Sequence, residues 1–225
     1  MPAGRLLDLL IPPACAGCGL PGPPACEGCL GGLEPLVPPL CGGCGAPAGV
    51  PVARCPACRG RIDGARQAVA YSEAAPALVA ALKDGRRRVL AGVLAERIAR
   101  AVPPPPLGAV LVPVPLGPRR MSERGFNQSL LIARELARRW GRPAAEALVR
   151  VREEPAQRGS AATARARQAA GAFAPANAGP VPAHAVLVDD VHTTGATVAD
   201  CARALRGGGA RTVAAACFAR ALPGR

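Results

Sequence analysis

Eight of the ten cysteines lie within the first 60 residues, where they form four Cys-x-x-Cys pairs. The pairs are Cys15 with Cys18, Cys26 with Cys29, Cys41 with Cys44, and Cys55 with Cys58. Each pair spans a tight turn that presents two thiolates to one tetrahedral ion, and two pairs complete a four-cysteine site. The spacing therefore predicts two structural zinc ions, and it leaves open whether consecutive or interleaved pairs share an ion.

A second group of residues that could bind a ligand begins at Asp189 and Asp190, which follow the apolar run 186–188. Because unpaired carboxylates are costly to bury, we expect both to emerge at the carboxyl end of a strand and to face solvent. Adjacent carboxylates suit the vicinal hydroxyls of a ribose. The alternative is an ordinary strand-turn-helix in which Asp190 is only a helix N-cap.

The loop after these carboxylates is rich in threonine and opens a predicted helix. It consists of Thr193, Thr194, Gly195, Ala196 and Thr197. Backbone N–H groups at a helix N-terminus, approached closely through a glycine, form a cradle for a phosphate. The loop lacks the Gly-Lys-Ser/Thr of a Walker sequence. Together, the two carboxylates and the cradle predict a site for a ribose 5-phosphate.

Charge is strongly positive, with 28 Lys and Arg residues against 15 Asp and Glu and a net charge of +13. Such a balance favours polyanionic partners such as nucleic acids or phosphate-rich substrates. The alternative is that the arginines reflect nucleotide composition bias. Lys83 is the single lysine of the chain, which suggests that arginine cannot replace it there. Aromatic residues make up 2%, which weakens the case for base stacking.

The elements that must position these groups follow from hydrophobic periodicity. Strands are predicted at 65–71, 110–112, 148–151, 186–188 and 212–218, and helices at 77–83, 89–101, 127–140 and 195–206. Short apolar strands that alternate with helices predict an α/β fold, in which helices flank a parallel sheet. The Gly- and Pro-rich segment 1–60 can bury little and needs metal. We therefore predict a double zinc-ribbon module over residues 1–60 and the α/β domain over residues 61–225.

The surroundings of the cysteines favour metal over disulfides. No run of about 18 apolar residues could span a membrane, and residues 1–13 lack the pattern of a signal peptide. We expect a short amphipathic helix there. We also expect a cytoplasmic protein, in which thiols stay reduced. Cys201 and Cys217 lie in apolar patterns and are predicted to be core residues.

Several motifs together resemble a known family. Residues 111–115 (Leu-Val-Pro-Val-Pro), Arg119 with Arg120, and 123–128 (Glu-Arg-Gly-Phe-Asn-Gln) are similar to the competence-associated ComF family, which also carries paired cysteines in front. The segment 189–197 resembles the signature of type I phosphoribosyltransferases, which bind 5-phosphoribosyl 1-pyrophosphate (PRPP). The resemblance covers essentially the whole chain and implies a phosphoribosyltransferase-like domain over residues 61–225.

The resemblance also implies roles for individual residues. Asp189 and Asp190 would contact the ribose hydroxyls, directly or through magnesium, and residues 193–197 would hold the 5-phosphate. The pyrophosphate would face Arg119, Arg120 and Arg124. These arginines follow a parallel strand and suit phosphate oxygens.

Residues 153–170 correspond to a mobile arm in the family. Gln157 and Arg165 match the arm, whereas Glu154, Ser160 and Gln168 depart from it.

Two functions follow from the resemblance. The first is a PRPP-binding protein that takes part in uptake of single-stranded DNA during natural transformation, with DNA and competence proteins as partners. The second is an active phosphoribosyltransferase of nucleotide salvage that moves ribose 5-phosphate to an unidentified acceptor. Thr193 stands where salvage enzymes carry a catalytic Asp, and no other general base is visible. The sequence therefore does not decide whether catalysis occurs.

Overall fold

The structure is a computed structural model that describes residues 14–56, 58, 62–152, 171–177 and 179–222. The segment 1–13, for which a helix is predicted, lies outside the described residues, as does the arm that contains Gln157 and Arg165. The predicted domain boundary near residue 60 also falls in an undescribed stretch.

Six strands and six helices make up the described chain. The strands are β1 (Gly64–Ala70), β2 (Val110–Pro113), β3 (Leu148–Arg150), β4 (Phe173–Pro175), β5 (His184–His192) and β6 (Thr212–Arg220). The helices are α1 (Glu27–Gly31), α2 (Ala75–Lys83), α3 (Leu90–Ala101), α4 (Pro118–Arg124), α5 (Gln128–Trp140) and α6 (Ala196–Gly207). The sequence does not predict the short elements α1, α4 and β4.

Four strands form a parallel sheet in the order β1-β6-β5-β2, which confirms the predicted fold class. β3 and β4 form a separate antiparallel pair. The carboxyl ends of the four parallel strands meet at one edge, which we call the carboxyl edge. In open α/β sheets, ligands bind at this edge.

Helices cover both faces of the sheet. On one face α2, α3 and α5 bury Leu78, Leu94 and Leu136 against the strands. On the other face α6 packs Val198 and Leu205 against the sheet. Burial of leucine side chains contributes roughly 1.5–3 kcal/mol each. These contacts fix the positions of α5 and α6, whose N-termini both lie at the carboxyl edge.

Helix α5 begins and ends as its sequence predicts. The side chain of Asn127 caps the N-terminus by accepting a hydrogen bond from the backbone N–H of Ser129 at 2.9 Å. Apolar residues at spacings of three and four, such as Ile132, Leu136 and Trp140, face the core. The helix ends at Gly141, whose φ of +60° is the left-handed conformation that glycine adopts most easily.

The cysteine-rich segment packs against the end of β1. The backbone N–H of Ala70 donates to the carbonyl of Glu34 at 2.8 Å, and the Ser72 hydroxyl donates to the Glu34 carboxylate at 2.9 Å. Leu33 and Ala25 join the main hydrophobic core. The segment therefore packs on the α/β domain and is not a free appendage.

Two further predictions concern the body of the chain. Cys201 and Cys217 are fully buried, which confirms that they are core residues. Within the described residues, no helix has the length and the apolar character needed to cross a membrane.

Candidate functional site

Two groups of four cysteines come together in the cysteine-rich segment. The first cluster consists of Cys15, Cys18, Cys26 and Cys29, and the second cluster consists of Cys41, Cys44, Cys55 and Cys58. Within each cluster the Sγ atoms all lie within 4.8 Å of one another. Consecutive pairs therefore share a site, which resolves the alternative that the spacing left open.

The surroundings of the thiols suit a metal ion. Backbone N–H groups of Gly17 and Cys26 point at Cys15 Sγ, both at 3.3 Å. Hydrogen bonds from Cys26 and from other backbone groups lower the pKa of Cys15 to about 6. For Cys41, burial acts in the opposite direction but N–H groups outweigh it, and its pKa is also lowered to about 6. Four thiol donors of this kind fit tetrahedral zinc, and the described clusters match both predicted sites.

Strand β5 carries the two carboxylates, but not in the expected environment. The strand continues through both Asp residues to His192, because residues 191 and 192 still pair with β6. Asp190 is only 3% exposed, so the expectation that both carboxylates face solvent is wrong for this residue. Successive side chains of a strand point to opposite faces, and Asp190 shares the face of the main core.

Burial of Asp190 is tolerated because Lys83 neutralises it. The ammonium of Lys83 lies 2.7 Å from Asp190 Oδ1. Among the described residues, Asp190 Oδ2 has no hydrogen-bond partner. A buried acceptor without a donor is costly, so this oxygen is an unsatisfied polar atom of the site. The single lysine of the chain is thus the counter-ion of the site.

Asp189 occupies a different position beside the same ion pair. Its Oδ1 accepts hydrogen bonds from the Ser129 hydroxyl at 2.8 Å and from the backbone N–H of Asp190 at 2.9 Å. Burial, followed by repulsion from Asp190, raises the pKa of Asp189 to about 7, against the opposing effect of Lys83. The carboxylate is therefore poised to change charge near neutral pH.

The segment Arg124 to Ser129 builds the wall beside these carboxylates. Asn127 donates from Nδ2 to the carbonyl of Val114 at 3.0 Å, which ties α5 to the turn after β2. Arg88 lies over the Phe126 ring, 4.7 Å from its centroid. This segment thereby sets the position of Ser129 and, through it, of Asp189.

The threonine-rich loop connects β5 to α6. Thr193 and Thr194 are exposed, and Gly195 is the N-cap of α6 with φ of +76°. An added Cβ at Gly195 would come within 2.8 Å of His192 Nε2, so the turn requires glycine both for its backbone angle and for space. We call residues 193–197 the phosphate loop from here on, after the ligand that their chemistry suits.

A cationic cavity of about 510 Å³ opens beside Asp190. It is lined by Lys83, Asp84, Arg86, Arg120, Glu123, Arg124 and Gln128. Four cations against two carboxylates give it a net positive charge, which suits an anion. Lys83 belongs to this wall and also bonds Asp190, so the cavity adjoins the carboxylates directly.

The three arginines singled out by sequence differ in position. Arg120 and Arg124 line the cationic cavity. Arg124 donates to Gln128 Oε1 at 2.6 Å and pairs with Asp84. Arg119 lies outside the lining and forms an exposed ion pair with Glu123 at 2.8 Å.

Sequence reasoning missed a set of polar residues behind the phosphate loop. Gln67 in β1, His192 in β5 and Arg220 in β6 are buried and hydrogen-bonded to one another or to Cys44. The signal that could have identified them in the sequence is a polar side chain within an otherwise apolar strand. Ser129 was missed as well, because its contact depends on how α5 lies against β5.

Named bacterial proteins are similar to most of this chain. The DNA utilization protein YhgH of Salmonella typhi is 37% identical over 186 residues, which cover 78% of this chain and 81% of that protein. The DNA utilization protein YhgH of Escherichia coli (strain K12) is 36% identical over 163 residues, which cover 68% of this chain and 70% of the relative. No model of a known protein family matches the chain. Given this identity over most of both chains, the protein belongs to the family of the bacterial DNA utilization protein YhgH.

Proposed function

We propose that this chain is a ComF-like protein whose α/β domain is phosphoribosyltransferase-like and binds PRPP or a closely related phosphorylated ribose. The observation that carries the proposal is the convergence of three groups at the carboxyl edge. The carboxylates of β5 connect the phosphate loop and the cationic cavity, because the loop follows β5 directly in the chain and Lys83 of the cavity bonds Asp190. A ribose that bears phosphates at both ends has matching chemistry.

Each part of the ligand has a proposed partner. The carboxylates of Asp189 and Asp190 would accept from the ribose hydroxyls, directly or through a magnesium ion, which prefers oxygen ligands. The N–H groups at the start of α6 would hold the 5-phosphate. Arg86, Arg120 and Arg124 would face the pyrophosphate, because guanidinium groups bind phosphate oxygens bidentately.

We propose that the biological role concerns single-stranded DNA in uptake and natural transformation. The relatives are named for DNA utilization, and the net charge of +13 suits a polyanion. Competence proteins would then be partners. The reduced thiols that two zinc sites require would fit a cytoplasmic location.

Calorimetric titration with PRPP and magnesium tests the ligand assignment. The parent should bind, and Asp189→Asn should bind at least tenfold more weakly, because a hydrogen bond to a charged group contributes roughly 1.5–3 kcal/mol. Asn keeps the size of Asp and can still accept from Ser129. Glu96→Gln, on the exposed face of α3, is the matched control and should bind like the parent.

Two outcomes would change the assignment. Equal affinity of Asp189→Asn and the parent would overturn the role of this carboxylate. Release of pyrophosphate on addition of a nucleobase would establish a phosphoribosyltransferase instead of a binding protein.

A further inference from the structure

We propose that the second cysteine cluster supports the phosphate loop through three positioning residues, which are Gln67, His192 and Arg220. Metal bound at the second cluster is then required for tight binding of a phosphorylated ligand, whereas metal at the first cluster is not. The inference rests on the proposed function for the identity of the ligand. The structural connection itself does not depend on it.

The first step of the connection is the backbone carbonyl of Cys44, a ligand of the second cluster. It accepts hydrogen bonds from Gln67 Nε2 at 3.2 Å and from Arg220 Nη1 at 2.8 Å. Gln67 and Arg220 are 5% and 8% exposed. Arg220 Nη2 also lies 3.7 Å from Cys44 Sγ. Two strands, β1 and β6, therefore direct buried donors at one cysteine.

The second step joins Gln67 to His192. Gln67 Nε2 lies 3.2 Å from His192 Nδ1, and an amide group has two hydrogens, so it can donate to both the carbonyl and the imidazole. The acceptor nitrogen of His192 is then unprotonated and the ring is neutral. Consistently, burial and the nearby Arg220 charge lower the pKa of His192 to about 4. The ring is thereby held in one orientation.

The third step is the contact of His192 with the phosphate loop. A Cβ at Gly195 would lie 2.8 Å from His192 Nε2, so the imidazole packs directly against the backbone of the turn. A small cavity lies between the second cluster and the loop. Its lining includes Cys44, Cys58, His192, Thr194, Gly195 and Arg220. Residues of the second cysteine cluster and of the phosphate loop thus line the same cavity.

The first cluster has different neighbours. The carbonyl of Ala14, just before Cys15, accepts a hydrogen bond from Arg87, and Gly17 lies near Ala74 at the start of α2. In the described part of the chain, no hydrogen bond joins the first cluster to residues 193–197. Changes at the first cluster can therefore serve as a control for changes at the second cluster.

Removal of one thiol from each cluster tests the inference. Cys58→Ser and Cys18→Ser each alter one ligand that is at least partly accessible. The readouts are zinc content, PRPP affinity by calorimetry in the presence of magnesium, and hydrogen exchange of the amides of residues 193–197 in the ligand-free protein. The parent should hold two zinc ions, and each variant one.

The two variants should differ in ligand binding. Cys58→Ser should raise the Kd for PRPP by about tenfold or more and increase exchange in the phosphate loop. Cys18→Ser should leave both within about twofold of the parent. Loss of zinc from Cys58→Ser with unchanged affinity and exchange would overturn the inference, and so would equal weakening by the two variants.

A second variant interrupts the connection without changing a thiol. Gln67→Met has a side chain of similar length but cannot donate to Cys44 or to His192. It should keep two zinc ions and a folded far-UV circular dichroism spectrum while the loop amides exchange faster and PRPP binds more weakly. Loop exchange equal to that of the parent would contradict the proposed chain of contacts.

Failure of the proposed function would look different. If the parent binds no PRPP, the ligand assignment is wrong, and hydrogen exchange in Cys58→Ser, Cys18→Ser and Gln67→Met still decides whether the second cluster supports the loop.

Discussion

At the residue scale, the site depends on how two adjacent carboxylates are stabilised at one end of a strand. Asp190 is buried and paired with Lys83, whereas Asp189 is half-buried and held by Ser129. Isolated charges cannot occupy such a position without partners. The strand can therefore carry both acidic residues only because α2 and α5 bring a cation and a hydroxyl to them.

Loss of the cation should destabilise the fold. Lys83→Met leaves Asp190 buried without its partner, and breaking a buried pair costs roughly 3–5 kcal/mol. We expect about 3 kcal/mol, because Lys83 keeps 26% of its side chain exposed. Urea unfolding would measure this change. Combination with Asp190→Asn should recover most of the loss, and a double variant no more stable than Lys83→Met would argue against the ion pair as the cause.

The charge of Asp189 should make ligand binding depend on pH. Its pKa is raised from the ordinary value of 3.8 to about 7, so the carboxylate ionises as pH rises from 6 to 8. The groups that face it are Asp190, Lys83 and Ser129, together with the buried thiols of Cys201 and Cys217. Affinity for PRPP with magnesium should rise roughly tenfold over this range.

Asp189→Asn is the control for this pH dependence, because ionisation of the ligand phosphates remains in it. A pH dependence as steep in this variant as in the parent would contradict the assignment. The stability of the fold should change with pH in the opposite direction to the affinity for PRPP. Protonated Asp189 stabilises the fold at acidic pH, and that contribution is lost as pH rises through about 7.

Sequence reasoning located the chemical groups of the site but not their partners. The spacing of the cysteines and the two Asp residues followed by a Thr- and Gly-containing loop are local features, so both could be predicted. The Lys83–Asp190 and Gln67–His192 contacts join residues that are far apart in sequence, and they follow from strand order and register. Lys83 stands out in the sequence only because it is the single lysine.

At the element scale, β5 is longer than its apolar pattern predicts. The apolar pattern predicted three residues, 186–188, whereas the strand spans nine. His184, Asp189 and His192 belong to it because backbone pairing with β6 continues over polar side chains. Hydrophobic pattern identifies the buried centre of a strand, and pairing with its neighbours determines its ends.

The N-terminus of α5 should be sensitive to its cap. Asn127→Ala removes the acceptor for the Ser129 N–H and the donor to the Val114 carbonyl, both buried contacts. We expect a loss of about 1–2 kcal/mol, measured by chemical denaturation. Weaker PRPP binding should accompany it, because Ser129 positions Asp189. Ser122→Ala, exposed on α4, is the control, and an equal effect there would exclude capping as the cause.

At the scale of the whole molecule, positive charge and the cationic cavity should act together on DNA. Single-stranded DNA should bind with an affinity that falls roughly 10- to 100-fold between 50 and 200 mM salt, as expected for several phosphate contacts. Arg120→Ala should reduce the slope of log K against log salt concentration by about 0.7, which is the contribution of one phosphate contact on a single strand. Arg100→Ala, on exposed α3, should change it less.

Competition separates a shared site from general attraction. PRPP should displace single-stranded DNA if a DNA phosphate occupies the phosphate loop or the cationic cavity. DNA binding that persists unchanged at saturating PRPP would instead indicate a surface outside the phosphate loop and the cationic cavity.

The central claim, that a phosphorylated ribose binds at the carboxyl edge of the sheet, is tested most directly by crystals grown with PRPP and magnesium. The 5-phosphate should lie within hydrogen-bond distance of the backbone N–H groups of Gly195 and Ala196. The ribose hydroxyls should approach Asp189 and Asp190, with the pyrophosphate beside Arg120. A ligand bound elsewhere, or a phosphate loop left empty at saturating PRPP, would contradict the account.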